Sequence, residues 1–201
     1  DIEHEFRVSA WHAGELSSPA MLSGIMPSSH ATQRWCEVVL STGQSLAIGT
    51  YSYPVLSNAQ PNSNVVHAPG GGALVPLVEP AAELPFPSGE TMSSGLLNTL
   101  GHFNQLDGHD KMFAVCISAA GAMPYSSLMQ GTTMYDILMR DLDSTKKRCL
   151  ELGRPAIVRA LTVVHGETDE YQGVSADQYE QYLLEWQSDI RDDVLARTGQ
   201  V

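Results

Sequence analysis

Three short apolar runs constrain the fold of this 201-residue chain more strongly than any other feature. They occupy residues 36–42, Met112–Ala119 and Ala156–Val164, and each is rich in small or β-branched apolar residues. Glycine or proline lies close to the ends of these runs. Continuous apolar runs of this length are typical of parallel strands that are covered on both faces. The sequence therefore predicts three buried parallel strands.

Amphipathic helical patterns alternate with these strands. Residues 132–152 and 177–197 carry apolar side chains at intervals of three and four, and residues 94–103 form a shorter helical pattern. Ser175 is positioned to cap the helix over 177–197 at its amino end, and Gly199 to end that helix. Strands and helices that alternate at this spacing predict an α/β fold with a mainly parallel, doubly wound sheet.

Two stretches do not follow that alternation. Residues 51–90 hold seven of the eleven prolines and a run of three glycines, and they show no helical pattern. A loop of this length inside a compact domain is usually functional, so we expect it to shape a binding groove. Residues 1–34 are also irregular, and we interpret them as a lead-in segment or the end of a preceding domain. The α/β domain then covers residues 35–201.

Charge and cysteine content narrow the functional classes. The formal net charge of −12 disfavours contact with a phosphate backbone, so no nucleic-acid partner is expected. The apolar stretches are far shorter than the about 20 residues that span a bilayer, so no membrane partner is expected either. The three cysteines, Cys36, Cys116 and Cys149, are typical of neither a disulfide framework nor a metal site. Cys36 and Cys116 lie in apolar runs and are expected to be small buried hydrophobes.

A polar motif follows each predicted strand. Ser45 follows the first strand in the sequence Gly-Gln-Ser, and Gly121 follows the second within a run of small residues. Residues 165–169, with the sequence His-Gly-Glu-Thr-Asp, follow the third strand. The carboxyl ends of parallel strands meet at one edge of a sheet, where α/β proteins bind ligands, so we expect the three motifs to converge. A serine at a helix N-terminus, beside free backbone N–H groups, suits a nucleophile with an oxyanion hole.

Each motif also has a purely structural interpretation. Ser45 fits a simple helix cap, Gly121 a tight turn, and His165 a turn histidine beside solvated carboxylates. The spacing within residues 165–169 does not match the His-x-x-x-His helix of zinc proteases, so a metal is not predicted. Ala47 replaces the second glycine of the α/β-hydrolase elbow, which disfavours that fold. A nucleotide-binding fold is disfavoured as well, because no Gly-x-Gly-x-x-Gly motif is present.

Taken together and in this order, the three motifs resemble those of the SGNH hydrolases. The resemblance is closest to the branch that contains the sialate O-acetylesterases and acetylxylan esterases, and it covers roughly residues 38–196. It implies a three-layer α/β/α sandwich of the flavodoxin-like SGNH type. It also implies that Ser45 is the nucleophile and that the N–H groups of Ser45 and Gly121 belong to the oxyanion hole. His165 occupies the position where the family has an Asn or Gln as the third oxyanion donor.

The same resemblance leads us to expect a carbohydrate O-acetylesterase that works through an acetyl-enzyme intermediate. Gln44, Glu167 and Asp169 are expected to shape the site, and neither a metal nor an organic cofactor is needed. The partner is expected to be an acetylated carbohydrate, because a neutral sugar polymer suits an acidic protein surface better than a polyanion does.

One element of the family pattern is missing. The general base of the family is a histidine in an Asp-x-x-His motif near the C-terminus, and no such motif follows the helix over 177–197. We expect this histidine beyond residue 201 or on a second chain. The alternative is a catalytically incomplete carbohydrate-binding or structural module of a larger surface-acting assembly, such as a phage tail fibre. Both interpretations favour an extracellular or virion-associated location.

Overall fold

The computed structural model describes residues 34–68, 72–82, 89–106 and 111–200. The expectation for residues 1–34 lies almost entirely outside these ranges. Two short 3-10 helices occupy Ser45–Ile48 and Tyr125–Ser127. Within the described ranges there are five strands and four α-helices, in this order: β1 (Cys36–Gly43), β2 (Val65–His67), β3 (Leu74–Pro76), α1 (Met92–Leu106), β4 (Met112–Ala119), α2 (Thr133–Glu151), β5 (Ala156–Val164), α3 (Glu167–Tyr171) and α4 (Ala176–Thr198).

The strands form one mixed sheet in the order β3-β2-β4-β1-β5. Strands β2, β4, β1 and β5 run parallel, and β3 pairs antiparallel with β2 at the edge. The α/β class with a mainly parallel sheet is therefore confirmed. All three predicted strands are present at the predicted positions, because their apolar runs are long enough to cross the sheet and too short for a core helix.

Helices cover both faces of this sheet. On one face, α2 and α4 pack over the apolar side chains of β1 and β4, with Trp186 of α4 fully buried in that layer. On the other face, Leu97 of α1 packs against Val39, Val66 and Val115. Burial of a side chain of this size stabilises the fold by about 1.5–3 kcal/mol, so the two layers hold the central strands firmly. None of the helices in the described ranges is long and apolar enough to cross a membrane.

The helix boundaries follow the sequence signals closely. Ser175 Oγ accepts a hydrogen bond from the N–H of Gln178 at 3.2 Å, which confirms the predicted cap of α4. Gly199 adopts a left-handed conformation with φ of 67° at the other end of the helix, as expected for its C-cap.

Two expectations about the strands were wrong in part. The third predicted strand, β5, lies at the edge of the described sheet, and its residues are mostly half-buried, so it is covered less fully than β1 and β4. The stretch 51–90 was expected to be a loop, but it contains the hairpin of β2 and β3. Strands of three residues carry too few side chains to give a readable alternation, so the sequence did not reveal them.

The expectation for the cysteines was also wrong in part. Cys36 and Cys149 form a disulfide, which joins the start of β1 to the end of α2. Their Cα atoms are 6.1 Å apart although 113 residues separate them in the chain. Such a pairing depends on the tertiary fold, and three widely spaced cysteines do not reveal it. Cys116 is a buried free thiol, as expected, and its burial raises its pKa to about 12.

Candidate active site

The carboxyl ends of β1, β4 and β5 lie side by side. Gly43 at the end of β1 is aligned with Ala119 of β4 and with Val164 of β5. The Gly-Gln-Ser motif, the Gly121 motif and residues 165–169 therefore begin at the same edge of the sheet. The predicted convergence of the three motifs is confirmed.

Gly43 allows the strands to approach unusually closely at this edge. A Cβ atom on Gly43 would lie 2.0 Å from the carbonyl oxygen of Val164, and the φ angle of Gly43 is 140°. The next residue, Gln44, donates its backbone N–H to that same oxygen at 2.9 Å. Only glycine satisfies both the backbone conformation and the available space, so Gly43 fixes where the chain leaves β1.

Ser45 is the first residue of the 3-10 helix that follows β1. It is half-buried, and its side chain makes no hydrogen bond to any residue that the structure describes. Within the same residues its backbone N–H has no acceptor, as is usual in the first turn of a helix. Its carbonyl oxygen accepts the N–H of Thr50 at 3.0 Å, which holds the following loop against it. With respect to the described residues, Ser45 thus combines an unbonded hydroxyl with an unbonded N–H.

Gly121 lies in the loop that follows β4, which we call the β4 loop and define as residues 120–124. The first residue of the loop is bound to the end of β1, because the N–H of Ala120 donates to Gly43 O at 3.2 Å. Gly121 is exposed, and a Cβ atom added to it would meet nothing within 4 Å. The next residue, Ala122, has a φ of 57°, a left-handed conformation that costs a residue with a side chain about 1–2 kcal/mol.

His165 is oriented differently from the expectation of an oxyanion donor. Its side chain is fully buried, and its Nε2 contacts the carbonyl oxygen of Met123 at 2.9 Å. Its Nδ1 contacts the hydroxyl of Tyr179 at 2.9 Å. Because both ring nitrogens are bonded, this arrangement leaves His165 no N–H to offer to an oxyanion. Burial lowers the pKa of the ring, and the Met123 carbonyl and the carboxylate of Asp169 oppose that shift.

The two carboxylates of the 165–169 motif differ in exposure, because one is buried and the other is exposed. Asp169 is buried, and its two oxygens accept the N–H of Tyr125 at 3.0 and 3.1 Å. Glu167 is exposed at the start of α3, and its side chain forms no hydrogen bond or ion pair with described residues. The described part of the chain contains no cluster of three or more side chains suited to a metal ion.

Gln44 connects the first and third motifs. Its side chain is buried, and its Oε1 accepts the N–H of Thr168 at 3.3 Å. Sequence reasoning included Gln44 in the site but missed its partner Thr168, as well as Met123, Tyr125 and Tyr179. Met123 and Thr168 act through backbone groups, which carry no sequence signal, and Tyr179 is indistinguishable from the other apolar residues of the amphipathic α4.

Three histidines lie in the described ranges, and none offers a free imidazole to Ser45. His67 is on β2, level with Cys116 of β4, which is three residues or about 10 Å short of the strand end. Its ring is buried and lies 3.7 Å from the carboxylate of Asp141. His102 is exposed on α1. Since both nitrogens of His165 are bonded, a general base for Ser45 is not assembled from these residues.

The loop after Ser45 is held by the segment that leads into α1. Gly89 donates its N–H to Gly49 O, and Glu90 donates its N–H to Ser52 O, each at 3.0 Å. The Glu90 carboxylate accepts the N–H of Leu56 at 2.6 Å and both the hydroxyl and the N–H of Ser57. These hydrogen bonds lower the pKa of Glu90, and the bond from the Ser57 hydroxyl makes the largest contribution. The ordered loop therefore presents fixed side chains beside the site.

Two tyrosines of this loop project into solvent. Tyr51 is 86% exposed and Tyr53 is 56% exposed, although large aromatic side chains are usually buried. Tyr51 also has a φ of 67°, an uncommon conformation for a residue with a side chain. Exposed aromatic rings in the loop that directly follows the Ser45 helix offer a contact surface for a ligand.

Comparison with known proteins supports the fold alone. No family profile matches the sequence, and no curated protein matches it. A crystal structure of a protein from Arabidopsis thaliana is similar, with a TM-score of 0.62 and 13% sequence identity. The match covers 79% of this chain and 68% of the Arabidopsis chain. At this level of identity, the likeness carries no information about activity.

Proposed function

We propose that the protein is a serine esterase of the SGNH type that removes O-acetyl groups from a carbohydrate. The observation that carries the proposal is the position of Ser45. It starts a helix at the carboxyl edge of the sheet, its hydroxyl and N–H are unbonded within the described residues, and the β4 loop begins on the neighbouring strand. Helices on both faces of a mainly parallel sheet are consistent with the three-layer sandwich of that family.

The proposed reaction uses Ser45 as the nucleophile. A histidine takes the hydroxyl proton as Oγ attacks the acetyl carbonyl, and the oxyanion accepts hydrogen bonds from the N–H groups of Ser45 and Gly121. Collapse of the intermediate expels the sugar alkoxide, which receives the proton from the histidine. Water, deprotonated by the same histidine, then attacks the acetyl-enzyme, releases acetate and restores Ser45. The mechanism needs no metal and no organic cofactor.

The general base of this proposal comes from outside the described residues. The positions of His67, His102 and His165 support this assignment, because each is either remote from the site, exposed on α1 or fully hydrogen-bonded. We therefore propose that a segment or a second chain with an Asp-x-x-His motif completes the site.

The proposed substrate class is supported by the surface around Ser45. Exposed tyrosine rings such as Tyr51 and Tyr53 can pack against the apolar face of a sugar ring. The net charge of −12 favours a neutral polysaccharide over a polyanion. A carbohydrate that carries acetyl esters satisfies both features.

Acetate release from acetylated xylan oligosaccharides, measured with the full-length natural polypeptide, tests the proposal. We expect acetate from the wild-type protein and none above background from Ser45→Ala, which removes only the nucleophilic oxygen. Equal acetate release by both proteins would overturn the proposal.

A carbohydrate-binding module without catalysis is the second candidate. The absence of an available histidine beside Ser45 in the described residues favours it. This candidate predicts that the natural full-length protein binds acetylated oligosaccharides equally well with serine or alanine at position 45. It also predicts that neither protein releases acetate.

A further inference from the structure

We propose that residues 165–169 act as a clamp that sets the position of the β4 loop relative to Ser45. We call these residues the clamp motif. In this role His165 and Asp169 are positioning residues, and neither contacts the oxyanion. The effect on catalysis rests on the proposed function, whereas the effect on the loop does not.

The clamp motif holds the β4 loop on both sides of Pro124. His165 Nε2 lies 2.9 Å from Met123 O, just before the proline, and the Asp169 carboxylate accepts the N–H of Tyr125, just after it. Both contacts are shielded from water, since the side chains of His165 and Asp169 are 0% and 3% exposed. Hydrogen bonds in such surroundings are electrostatically stronger than in solvent, so the segment from Met123 to Tyr125 is firmly fixed.

The hydrogen-bond partners determine the tautomer of His165. A carbonyl oxygen can only accept, so Nε2 carries the proton and donates it to Met123 O. Nδ1 then accepts a hydrogen bond from the hydroxyl of Tyr179 on α4. The ring also packs edge-on against Trp186, with the ring centroids 5.6 Å apart. The imidazole therefore connects α4 to the β4 loop in one defined orientation.

The same motif also holds the residue next to the nucleophile. The N–H of Thr168 donates to Oε1 of Gln44 at 3.3 Å, and Gln44 directly precedes Ser45. The backbone N–H of Gln44 donates to Val164 O, the last residue of β5 before the clamp motif. One short segment thus contacts the chain beside Ser45 and the chain beyond Gly121.

Gly121 depends on this support because few other contacts from the described residues hold it. It is exposed, nothing lies within 4 Å of the position of a Cβ atom, and the neighbouring Ala122 is in a left-handed conformation. Release of Met123 and Tyr125 would allow the β4 loop to relax toward a less strained conformation. A misplacement of about 1 Å in a catalytic group is enough to reduce a rate by about 100-fold.

The test combines amide hydrogen exchange, measured by NMR, with steady-state kinetics on an acetyl ester for four variants of the full-length protein. His165→Ala removes the contact to Met123 in the β4 loop, and Asp169→Ala removes the contact to Tyr125, the residue that follows the loop. His165→Gln places an amide N–H near the position of Nε2 and keeps the contact to Met123. Glu170→Ala changes an exposed residue of α3 and serves as the control. Exchange of the amides of β1 and β4 reports global unfolding, and this contribution is subtracted from the exchange rates of the other amides.

We expect both alanine variants to increase exchange of the Tyr125 amide, whose N–H donates to Asp169, by at least about 10-fold. We also expect them to lower kcat by about 100-fold with KM nearly unchanged. His165→Gln should restore most of both properties, and Glu170→Ala should match the wild type. If His165→Ala does not fold, Asp169→Ala decides the question, because it leaves the imidazole in place.

Two results would overturn the clamp. One is unchanged exchange of the Tyr125 amide in the folded alanine variants. The other is a loss of kcat in His165→Ala while the Tyr125 amide stays protected, which would make His165 a direct oxyanion donor. A wild-type protein without esterase activity whose alanine variants nevertheless lose protection would refute the proposed function and support the clamp.

Discussion

Two histidine–aspartate pairs are buried in the described part of the chain, and they differ in the hydrogen bonding of the imidazole. In the pair at the carboxyl edge, both ring nitrogens of His165 have partners at 2.9 Å. In the pair beneath α2, His67 lies 3.7 Å from Asp141, which is too long for a hydrogen bond. Neither ring nitrogen of His67 has a partner among the described residues. Burial lowers the pKa of both histidines.

The difference indicates what each pair contributes. A buried imidazole with two hydrogen bonds connects separate segments in a fixed orientation, whereas an unbonded polar group in the interior costs about 1–3 kcal/mol. The carboxyl edge therefore contains the polar contacts that order loops, whereas the buried His67 beneath α2 is expected to lower stability. Burial alone does not distinguish a residue that organises a site from one that does not.

The largest effect is expected on catalysis at the carboxyl edge of the sheet. There Gly121→Pro removes the backbone N–H that we propose for the oxyanion hole. Loss of one such donor lowers kcat by about 100- to 1,000-fold. Gly121→Ala is the matched control, because an added Cβ meets nothing within 4 Å and the N–H is kept. The kcat for an acetyl ester measures the difference, and equal kcat values in the two variants would remove Gly121 from the oxyanion hole.

The next largest effect is expected on stability, from the close packing of Gly43 against β5 at the carboxyl edge of the sheet. Gly43→Ala is expected to destabilise the fold by about 3 kcal/mol or more, because its Cβ would lie 2.0 Å from Val164 O. Gly153→Ala also has a positive φ but meets no neighbour within 4 Å, so it should cost only about 1–2 kcal/mol. Urea denaturation of the two variants provides the comparison. Similar midpoints would mean that the edge is less crowded than described.

The comparison of the two pairs is tested directly by replacing each histidine with leucine. His165→Leu should lower the free energy of unfolding by about 1–3 kcal/mol, because Met123 O and the Tyr179 hydroxyl lose their partner. His67→Leu should leave stability unchanged or raise it, since an unbonded polar ring is replaced by an apolar side chain. Denaturant unfolding at pH 7.5 measures both, and the opposite ranking would contradict our account of the two pairs.

The smallest expected effect is on the pH dependence of stability. The folded pKa of His165 lies below its unfolded value of about 6.5, so on acidification the unfolded state binds a proton that the native state does not. Stability therefore falls as the pH falls through 6.5. His165→Gln lacks this titration and should lose less stability between pH 7.5 and 5.5, by up to about 1.4 kcal/mol. Parallel stability profiles for the two proteins would contradict the lowered pKa.

The sequence was informative where a signal is local. The runs that form β1, β4 and β5 and the caps Ser175 and Gly199 are each visible within a few residues. The meeting of the three motifs at one edge followed from the direction of parallel strands. By contrast, the disulfide between Cys36 and Cys149 and the hairpin of β2 and β3 depend on chain segments brought together by the tertiary fold.

The orientation of His165 could not be predicted for a related reason. Sequence and family resemblance located the residue at the right edge, but its direction is set by Met123 O and the Tyr179 hydroxyl. One of these partners is a backbone atom, and the other comes from a helix 14 residues away. The role of a polar residue at a strand end therefore depends on contacts that only the folded structure reveals.

The central claim is that Ser45 is an activated nucleophile, and labelling with a fluorophosphonate probe tests it most directly. The adduct is mapped by mass spectrometry in the natural full-length protein, with Ser45→Ala as the control. We predict a single adduct on Ser45 and none in the variant, because only an activated serine attacks the probe. A folded protein that acquires no adduct, or an adduct elsewhere that persists in Ser45→Ala, would contradict the account.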